Sequence, residues 1–290
     1  MSIRPAISAV LILTAVLIAG RADAQNDLSG EWAIRLHSDQ VKRFEGPRLG
    51  DYTGLPINDA ARLRADSWDA KIHNVPEHQL ADYSSILDVW NPSNLRISKI
   101  VDDVTQQVIA FKLFHSPYGM FSRMIWMDDR PSPPAYAAHT WQGFSSGKWE
   151  GATLTVTTTH VKASVLERNG VPHTDDATMT EHYFRHGNYL TIVSIVTDPV
   201  YLEEPLIRST TYVYTPEQQL PGGGPQLAAD ELPGLRDGAV PHHLPGTNDQ
   251  LREFADSLGV PFEVTRGGKA SLYPEYQLQI RDARSRGQSR

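Results

Sequence analysis

Apolar and polar residues alternate in a series of short segments, a pattern that predicts strands with one buried and one exposed face. In the first segment, residues 28–37, the side chains of Trp32, Ile34 and Leu36 share a face. Turn-forming residues such as Gly187-Asn188 separate the segments, as hairpins require. The same alternation predicts further strands at residues 95–101, 107–114, 121–127, 152–160, 179–186, 189–196 and 206–214.

One helix is predicted before these later strands, at residues 59–70. Asn58 is a favourable N-cap residue, and Asp59 places an acidic side chain in the first turn, where the helix dipole favours it. Residues 71–93 lack periodicity and are expected to form a long ordered loop. Many short antiparallel strands with a single early helix predict an all-β fold, as a barrel or alternatively a β-sandwich.

The composition changes after residue 216, where Pro and Gly become frequent and apolar residues too sparse for a second core. Thr247 and Gln250 form a capping box and Gly259 is a suitable C-cap, so a short helix is predicted at residues 248–258. The predicted organisation is a β-domain at residues 25–215 and an extended tail at residues 216–290 that wraps around it.

The first 24 residues have the pattern of a secretory signal peptide. Arg4 precedes an apolar run at residues 6–19, and the small residues of Ala22-Asp23-Ala24 predict cleavage after Ala24. The run is too short for a transmembrane anchor. The chain has no cysteine, which excludes a lipoprotein anchor, disulfides and thiolate metal sites. We therefore expect a periplasmic or secreted protein without a membrane anchor.

The charge balance argues against a nucleic-acid partner. The formal net charge is -7, from 34 acidic and 27 basic residues, so there is no basic footprint for a phosphate backbone. The basic run at residues 281–290 is predicted to be a frayed, solvated terminus. The pattern does not decide the oligomeric state.

Histidines on the predicted strands are candidates for acid/base catalysis. His160 lies in the same row as Leu154, Val156 and Thr158, so an inward row would also point the imidazole inward. On the next strand, His182 and Phe184 share one face, which we favour as the interior.

The opposite face of that strand carries Glu181, Tyr183 and Arg185. A cross-strand ion pair is the simpler use of Glu181 and Arg185. Were this face the interior, Glu181 would be a general base tuned by Arg185. The candidate catalytic residues are His160, His182, His139, Glu181 and Arg185.

No metal or other cofactor is predicted. His182 and His186 are four residues apart in a strand, which separates them by about 13 Å, too far to bind one ion. A metal would need His139, His160 and His182 to converge from different strands. The Ser145-x-x-Lys148 pattern lacks the helical context of the enzymes that use it, and no phosphate loop or dinucleotide fingerprint is present.

Aromatic residues cluster in the middle of the chain. In an all-β domain such residues first of all build the core, and some can line a ligand pocket. The candidate ligand-binding residues are Trp126, Tyr136, Trp141, Phe144, Thr158 and Phe184.

Three blocks of the sequence resemble a group of uncharacterised exported bacterial proteins. They are PSPPAYAAHTWQGFSSGKWEGATLTVTTTH, RNGVPHTDDATMTEHYFRHGNYLTIVSIVTDPVYLEEP and PHHLPGTNDQLREFADSLGVPFEVTRGGKASLYPEY. The resemblance implies an exported, lipocalin-like β-barrel and supplies no activity and no catalytic residue. Many relatives have Gly-Phe-Asn where this chain has His160-Val161-Lys162, which would make His160 a feature of a subgroup.

Three functions are compatible with these patterns. The first is a periplasmic barrel that binds a small apolar or aromatic molecule in its cavity. The second is a lyase, isomerase or hydrolase in which His160 is the base, His182 or His139 the acid, and Glu181 or Arg185 an orienting group. The third is an envelope protein whose tail binds another protein.

Overall fold

The computed structural model describes residues 27–35, 47–69, 71–72, 84–90, 93–116, 122–220 and 239–288. The predicted signal peptide lies outside these residues, as does most of the loop predicted at residues 71–93. Within the described part of the chain, no helix is long and apolar enough to cross a membrane.

The predicted all-β barrel is confirmed. Nine of the described strands close into a barrel in the order β1-β11-β10-β9-β6-β5-β4-β3-β2, and β7 and β8 form a separate two-stranded sheet. The strands are β1 Gly30–Ile34, β2 Asn94–Val101, β3 Val108–Ser116, β4 Ser122–Trp126, β5 Phe144–Glu150, β6 Thr153–Thr159, β7 Ser164–Val165, β8 Pro172–His173, β9 Thr178–His186, β10 Tyr189–Thr197 and β11 Leu206–Tyr214.

One contact between neighbouring strands is parallel, which the expected antiparallel barrel did not include. β4 and β5 pair through Ile125 with Ser145 and Trp126 with Ser146. Parallel neighbours need a long connection to return the chain to the same end of the sheet, and residues 127–143 provide it. Gly147 lies at this seam, where a Cβ atom would come within 2.7 Å of the Met127 sulfur.

The hairpin predicted at Gly187-Asn188 is confirmed, and a second hairpin joins β5, which was not predicted, to β6. β5 and β6 are antiparallel neighbours with Glu150 opposite Thr153, and β9 and β10 are neighbours with Tyr189 opposite His186. Gly187 has a φ of 58°, a left-handed conformation that glycine adopts without a steric penalty. The glycine in the turn therefore sets the register of the β9–β10 hairpin.

Two helices lie between β1 and β2. Helix α1, Asp59–Asp66, begins where predicted, because the Asn58 side chain accepts a hydrogen bond from the Ala61 backbone N–H. It ends four residues earlier than predicted. Helix α2, Ser85–Trp90, lies in the segment expected to be a loop, and the Ser84 hydroxyl accepts a hydrogen bond from the Leu87 N–H at its start.

The C-terminal tail is more helical than expected. A 3₁₀ helix, Asp249–Arg252, leads into helix α3, Glu253–Leu258, which ends at Gly259 as predicted. The side chain that caps it is Asn248, not Thr247. Helix α4, Pro274–Gln288, extends through most of the run predicted to be frayed, so that prediction was wrong.

The tail packs against α1 and the segment before it. Both amino groups of the Arg266 guanidinium donate to Asp66 at 2.7 Å, and the Tyr52 hydroxyl donates to the same carboxylate at 2.6 Å. The Tyr52 backbone N–H donates to Thr265. The tail is therefore held against α1 and Tyr52 by side-chain and backbone hydrogen bonds.

Two apolar clusters form the core. The first fills the barrel and includes Trp32, Leu113, Leu154 and Leu190. The second covers the mouth of the barrel and joins α1, α2, the β7–β8 region and the ends of β9, β10 and β11. A group of buried polar side chains lies in the barrel between Tyr183 and Tyr212 of the first cluster and α2 at the mouth.

Candidate functional site

The barrel encloses a small cavity at its mouth. Its free volume is about 20 Å³, which is room for about one water molecule. Most of the residues that line it have charged or hydroxyl-bearing side chains, whereas most of its exposed surface is apolar. The lining residues are Ser85, Asp88, Val89, His115, Arg123, Glu181, Tyr183, Ile192, Ser194, Thr210 and Tyr212.

An ion pair between Arg123 of β4 and Glu181 of β9 lies at the centre of this cavity wall. Nη2 of Arg123 donates to Oε2 of Glu181 and, at 2.6 Å, to the Thr158 hydroxyl. Nε of Arg123 donates to the Ser145 hydroxyl at 2.9 Å, and the Tyr183 hydroxyl donates to Oε1 of Glu181 at 3.2 Å. The pair is buried, and these hydrogen bonds offset part of the cost of removing two charges from water.

The protonation of three of these groups is fixed by their surroundings. Burial alone would lower the pKa of Arg123, but the charge of Glu181 raises it above its ordinary value. Burial and the charge of Glu181 raise the pKa of Tyr183 well above its usual range. Burial also raises the pKa of Tyr212, with Asp88 and Glu181 adding to it. Arg123 is therefore a permanent cation, and both tyrosines are permanent donors.

Asp88 of α2 differs from these groups because it titrates near neutrality. Burial and the charge of Glu181 together raise its pKa to about 7, against the opposing influence of Arg123. A hydrogen bond from Gln142 favours the ionised form. A carboxyl group with a pKa near 7 can both donate and accept a proton at physiological pH.

His115 of β3 is a neutral imidazole at the cavity wall. Burial, followed by the charge of Arg123, lowers its pKa to about 4. Its Nδ1 atom is buried and has no hydrogen-bond partner among the described residues. Buried polar atoms almost always have a partner, so this nitrogen can bind a polar group of a molecule that enters the cavity.

Two of the residues predicted from the sequence belong to this network. Glu181 lines the cavity, and Thr158 binds Arg123. Arg185, predicted to tune Glu181, lies in the same row but further along β9, where its guanidinium contacts the rings of Trp32 and Tyr214. Arg123 occupies the place by Glu181 that Arg185 was expected to take.

The preferred face of β9 was wrong. Met179, Glu181 and Tyr183 are buried, whereas His182 and Phe184 lie on the outer face. Tyr183 is large enough to fill the barrel while its hydroxyl binds Glu181, which makes this row the better core. Outside, Nδ1 of His182 is 3.1 Å from the Thr155 hydroxyl.

His160 does not point into the barrel. β6 ends at Thr159, and His160 has a φ of 57°, so the chain turns out of the row that carries Thr158. Its Nε2 donates to the Pro134 carbonyl at 3.1 Å. His139 lies beside it, with ring centroids 5.1 Å apart, so these two histidines meet, but neither lines the cavity and His182 is not with them.

The candidate aromatic residues also lie outside the cavity lining. The Arg130 guanidinium lies over the ring of Trp126, 3.3 Å from its centroid, and the Lys162 ammonium lies over the ring of Trp141. Tyr136 is 91% exposed. Phe144 precedes the buried Ser145 and, like Phe184, belongs to an outward row.

Sequence reasoning missed Asp88, His115 and Arg123. Asp88 interrupts the apolar run of SILDVW, His115 follows that of VIAFKLFH, and Arg123 precedes that of SRMIW. A charged or imidazole side chain in the apolar row of a strand is the signal that would have found His115 and Arg123. Asp88 is likewise a charged residue among apolar ones, but its six-residue helix is too short for the 3.6-residue repeat to be recognised in the sequence.

The described residues include no group of three or more His, Cys, Asp or Glu side chains arranged to hold a metal ion. No known protein family, curated protein or solved structure matches the chain. The function is therefore argued from the cavity itself.

Proposed function

We propose that this protein binds a small polar molecule inside its barrel, and that it does so outside the cytoplasm after removal of residues 1–24. The observation that carries the proposal is the buried Nδ1 of His115, which binds no described residue, in a cavity that also contains the titratable carboxyl of Asp88. Perturbed groups that converge in one cavity are typical of functional sites. The export signal supports the location.

The lining combines polar groups with exposed surface that is mostly apolar, so it suits a small molecule that has both polar and apolar parts. Arg123 and Glu181 balance each other, Asp88 is partly protonated at neutral pH, and His115 is neutral, so the wall has little net charge. It presents donors and acceptors together, among them Ser194 and Thr210. A neutral molecule with a hydroxyl, carbonyl or amide group fits this wall.

A second function, proton-transfer catalysis, is favoured by the pKa of Asp88. A general acid or base works best when its pKa is near the working pH, and Asp88 meets that condition. Arg123 would then stabilise negative charge that develops on the substrate. The original scheme with His160 and His182 has less support, because these residues lie on the outside of the barrel and apart.

The test is a thermal-unfolding and native mass spectrometry screen of residues 25–290 against small amides, alcohols and ketones. A probe at ten times its Kd should raise the free energy of unfolding by about 1.4 kcal/mol. His115→Ala should abolish this stabilisation, and His182→Ala, which changes a histidine on the outer face, should retain it. Equal stabilisation of both variants, or no stabilising probe, would overturn the proposal.

A further inference from the structure

We propose that α2 is a plug in the mouth of the barrel, which must leave its seat to admit a ligand and which ionisation of Asp88 loosens. This inference rests on the proposed binding function and concerns the regulation of the same site.

Helix α2 closes one side of the cavity. Ser85, Asp88 and Val89 of this six-residue helix form one wall of the cavity. Ile86 and Leu87 are also buried, so the helix lies in the mouth and not on the surface of the barrel. With room for about one water molecule, the cavity admits no ligand of several heavy atoms while α2 is in place.

The described hydrogen bonds that hold α2 in the mouth of the barrel, which we call its seat, lie at the start of the helix. Nδ1 of His173 lies 2.9 Å from the Thr174 carbonyl and therefore carries the proton, so Nε2 accepts the Ser84 hydroxyl at 3.0 Å. The Ser85 N–H donates to the Trp141 carbonyl at 3.1 Å. A helix of six residues is not stable alone, so these bonds and the burial of its apolar residues decide whether it stays.

Asp88 is the only charged residue of α2, and the cavity does not favour its ionised form. Arg123 already binds Glu181, whose negative charge opposes a second carboxylate nearby. Other elements contribute polar groups around it, and β11 carries Arg208 in the row of Thr210. Among the described residues, the titratable, charged and polar groups that line the cavity with Asp88 or interact with it are Ser85 of α2, His115 of β3, Arg123 of β4, Gln142, Glu181 and Tyr183 of β9, Ser194 of β10, and Thr210 and Tyr212 of β11.

The sign of the effect follows from the raised pKa of Asp88. In the open state the carboxyl would titrate near its ordinary 3.8, and in the seat it titrates at about 7. The free energy needed to open α2 is therefore highest below about pH 4, where Asp88 is protonated in both states. It falls progressively up to about pH 7 and is constant above that. His115 acts in the opposite sense, because its pKa is lowered to about 4 and protonation below the ordinary 6.5 weakens the closed cavity. A comparison with Asp88→Asn isolates the contribution of Asp88.

The absence of cysteine from the chain allows a direct test. A single cysteine is placed at Leu87, which is 1% exposed on α2, and in a control protein at Ala61, which is 0% exposed on α1. The rate of labelling by a thiol-specific disulfide reagent is measured from pH 5 to pH 8. Each rate is divided by the rate for the same protein unfolded in urea at the same pH, so that the pH dependence of thiol ionisation cancels. Faster labelling of Leu87→Cys than of Ala61→Cys reports opening of α2.

We expect Leu87→Cys to be labelled at least tenfold faster than Ala61→Cys at pH 7. We divide the labelling rate of Leu87→Cys by that of Leu87→Cys/Asp88→Asn, and this ratio should rise at least tenfold between pH 5 and pH 8. The upper limit for the loss of one proton is tenfold per pH unit. Equal rates for Leu87→Cys and Ala61→Cys, or a ratio independent of pH, would overturn the inference.

Hydrogen exchange of the unmodified protein is an independent test that does not depend on the folding of the cysteine variants. Amides of α2 should exchange faster than those of α1, and exchange at the rate of global unfolding in both helices would contradict the plug. Neither measurement requires a ligand. A binding screen without hits would therefore overturn the proposed function while these results still decide whether α2 opens.

Discussion

Arg123 and Glu181 form a buried ion pair between β4 and β9, two strands that are not neighbours in the barrel. The Ser145 hydroxyl of β5 and the Thr158 hydroxyl of β6 lie between them, 2.9 Å apart, and both bind Arg123. The polar groups of four strands thus form one network across the barrel interior. The network positions Arg123 and Glu181 beside Asp88 and His115.

Breaking this pair from one side should be costly. Arg123→Met leaves Glu181 buried without a cation, and we expect a loss of about 3–5 kcal/mol in the free energy of unfolding. Arg123→Met/Glu181→Met removes both charges and should regain most of that loss. Urea unfolding measures both values. A single variant that loses less than about 1 kcal/mol would mean that the charge of Glu181 is solvated or neutralised in solution.

The buried Nδ1 of His115 predicts a variant that is stable but does not bind. His115→Phe keeps a ring in the cavity wall and removes a buried polar atom that binds no described residue, so its free energy of unfolding should be unchanged or higher by about 1 kcal/mol. Binding of a probe should be lost. A destabilisation above about 2 kcal/mol in urea would show that Nδ1 has a structural partner in solution.

The same residue predicts a dependence on acid. The folded pKa of His115 is about 4 and its ordinary value is 6.5, so its neutral form contributes stability fully above pH 6.5. That contribution is lost as the pH falls through 4, at up to about 1.4 kcal/mol per pH unit. Urea unfolding at pH 7, 5.5 and 4 should show the unmodified protein losing stability relative to His115→Phe. A constant difference across this range would contradict the lowered pKa.

The sequence predicted most of the barrel because alternation is a local property. β11 was predicted at its exact bounds, and most other strands within two residues. β5 was not predicted, because its inward positions are Ser145, Gly147 and Trp149, which form no apolar row. A strand built from small and polar residues for close packing at a seam has no local signal.

The site was only partly predictable because it depends on contacts between distant segments. Glu181 was a candidate, but its partner was sought on its own strand as Arg185, whereas Arg123 lies 58 residues away. A single sequence does not show which strands face each other across a barrel. His160 was misplaced for a local reason, since one residue of left-handed backbone ended the alternation.

The contact between the tail and α1 predicts a specific role for Asp66. Its carboxylate accepts two hydrogen bonds from Arg266 and one from Tyr52, in a setting where the side chains of the ion pair are only about one-fifth exposed. Charge-assisted bidentate pairs of this kind are stronger than ordinary hydrogen bonds. Asp66→Ala should therefore loosen residues 239–288 and speed their cleavage by a protease relative to the barrel.

The matched control on the same helix is Asp59→Ala. Asp59 binds Arg62, but its side chain is 98% exposed, so removing it should change stability by less than about 1 kcal/mol. Limited proteolysis with mass spectrometry compares the two variants. Cleavage of the tail at equal rates in both would mean that the tail is held by its backbone bonds, such as Tyr52 N–H to Thr265, and not by the Asp66 carboxylate.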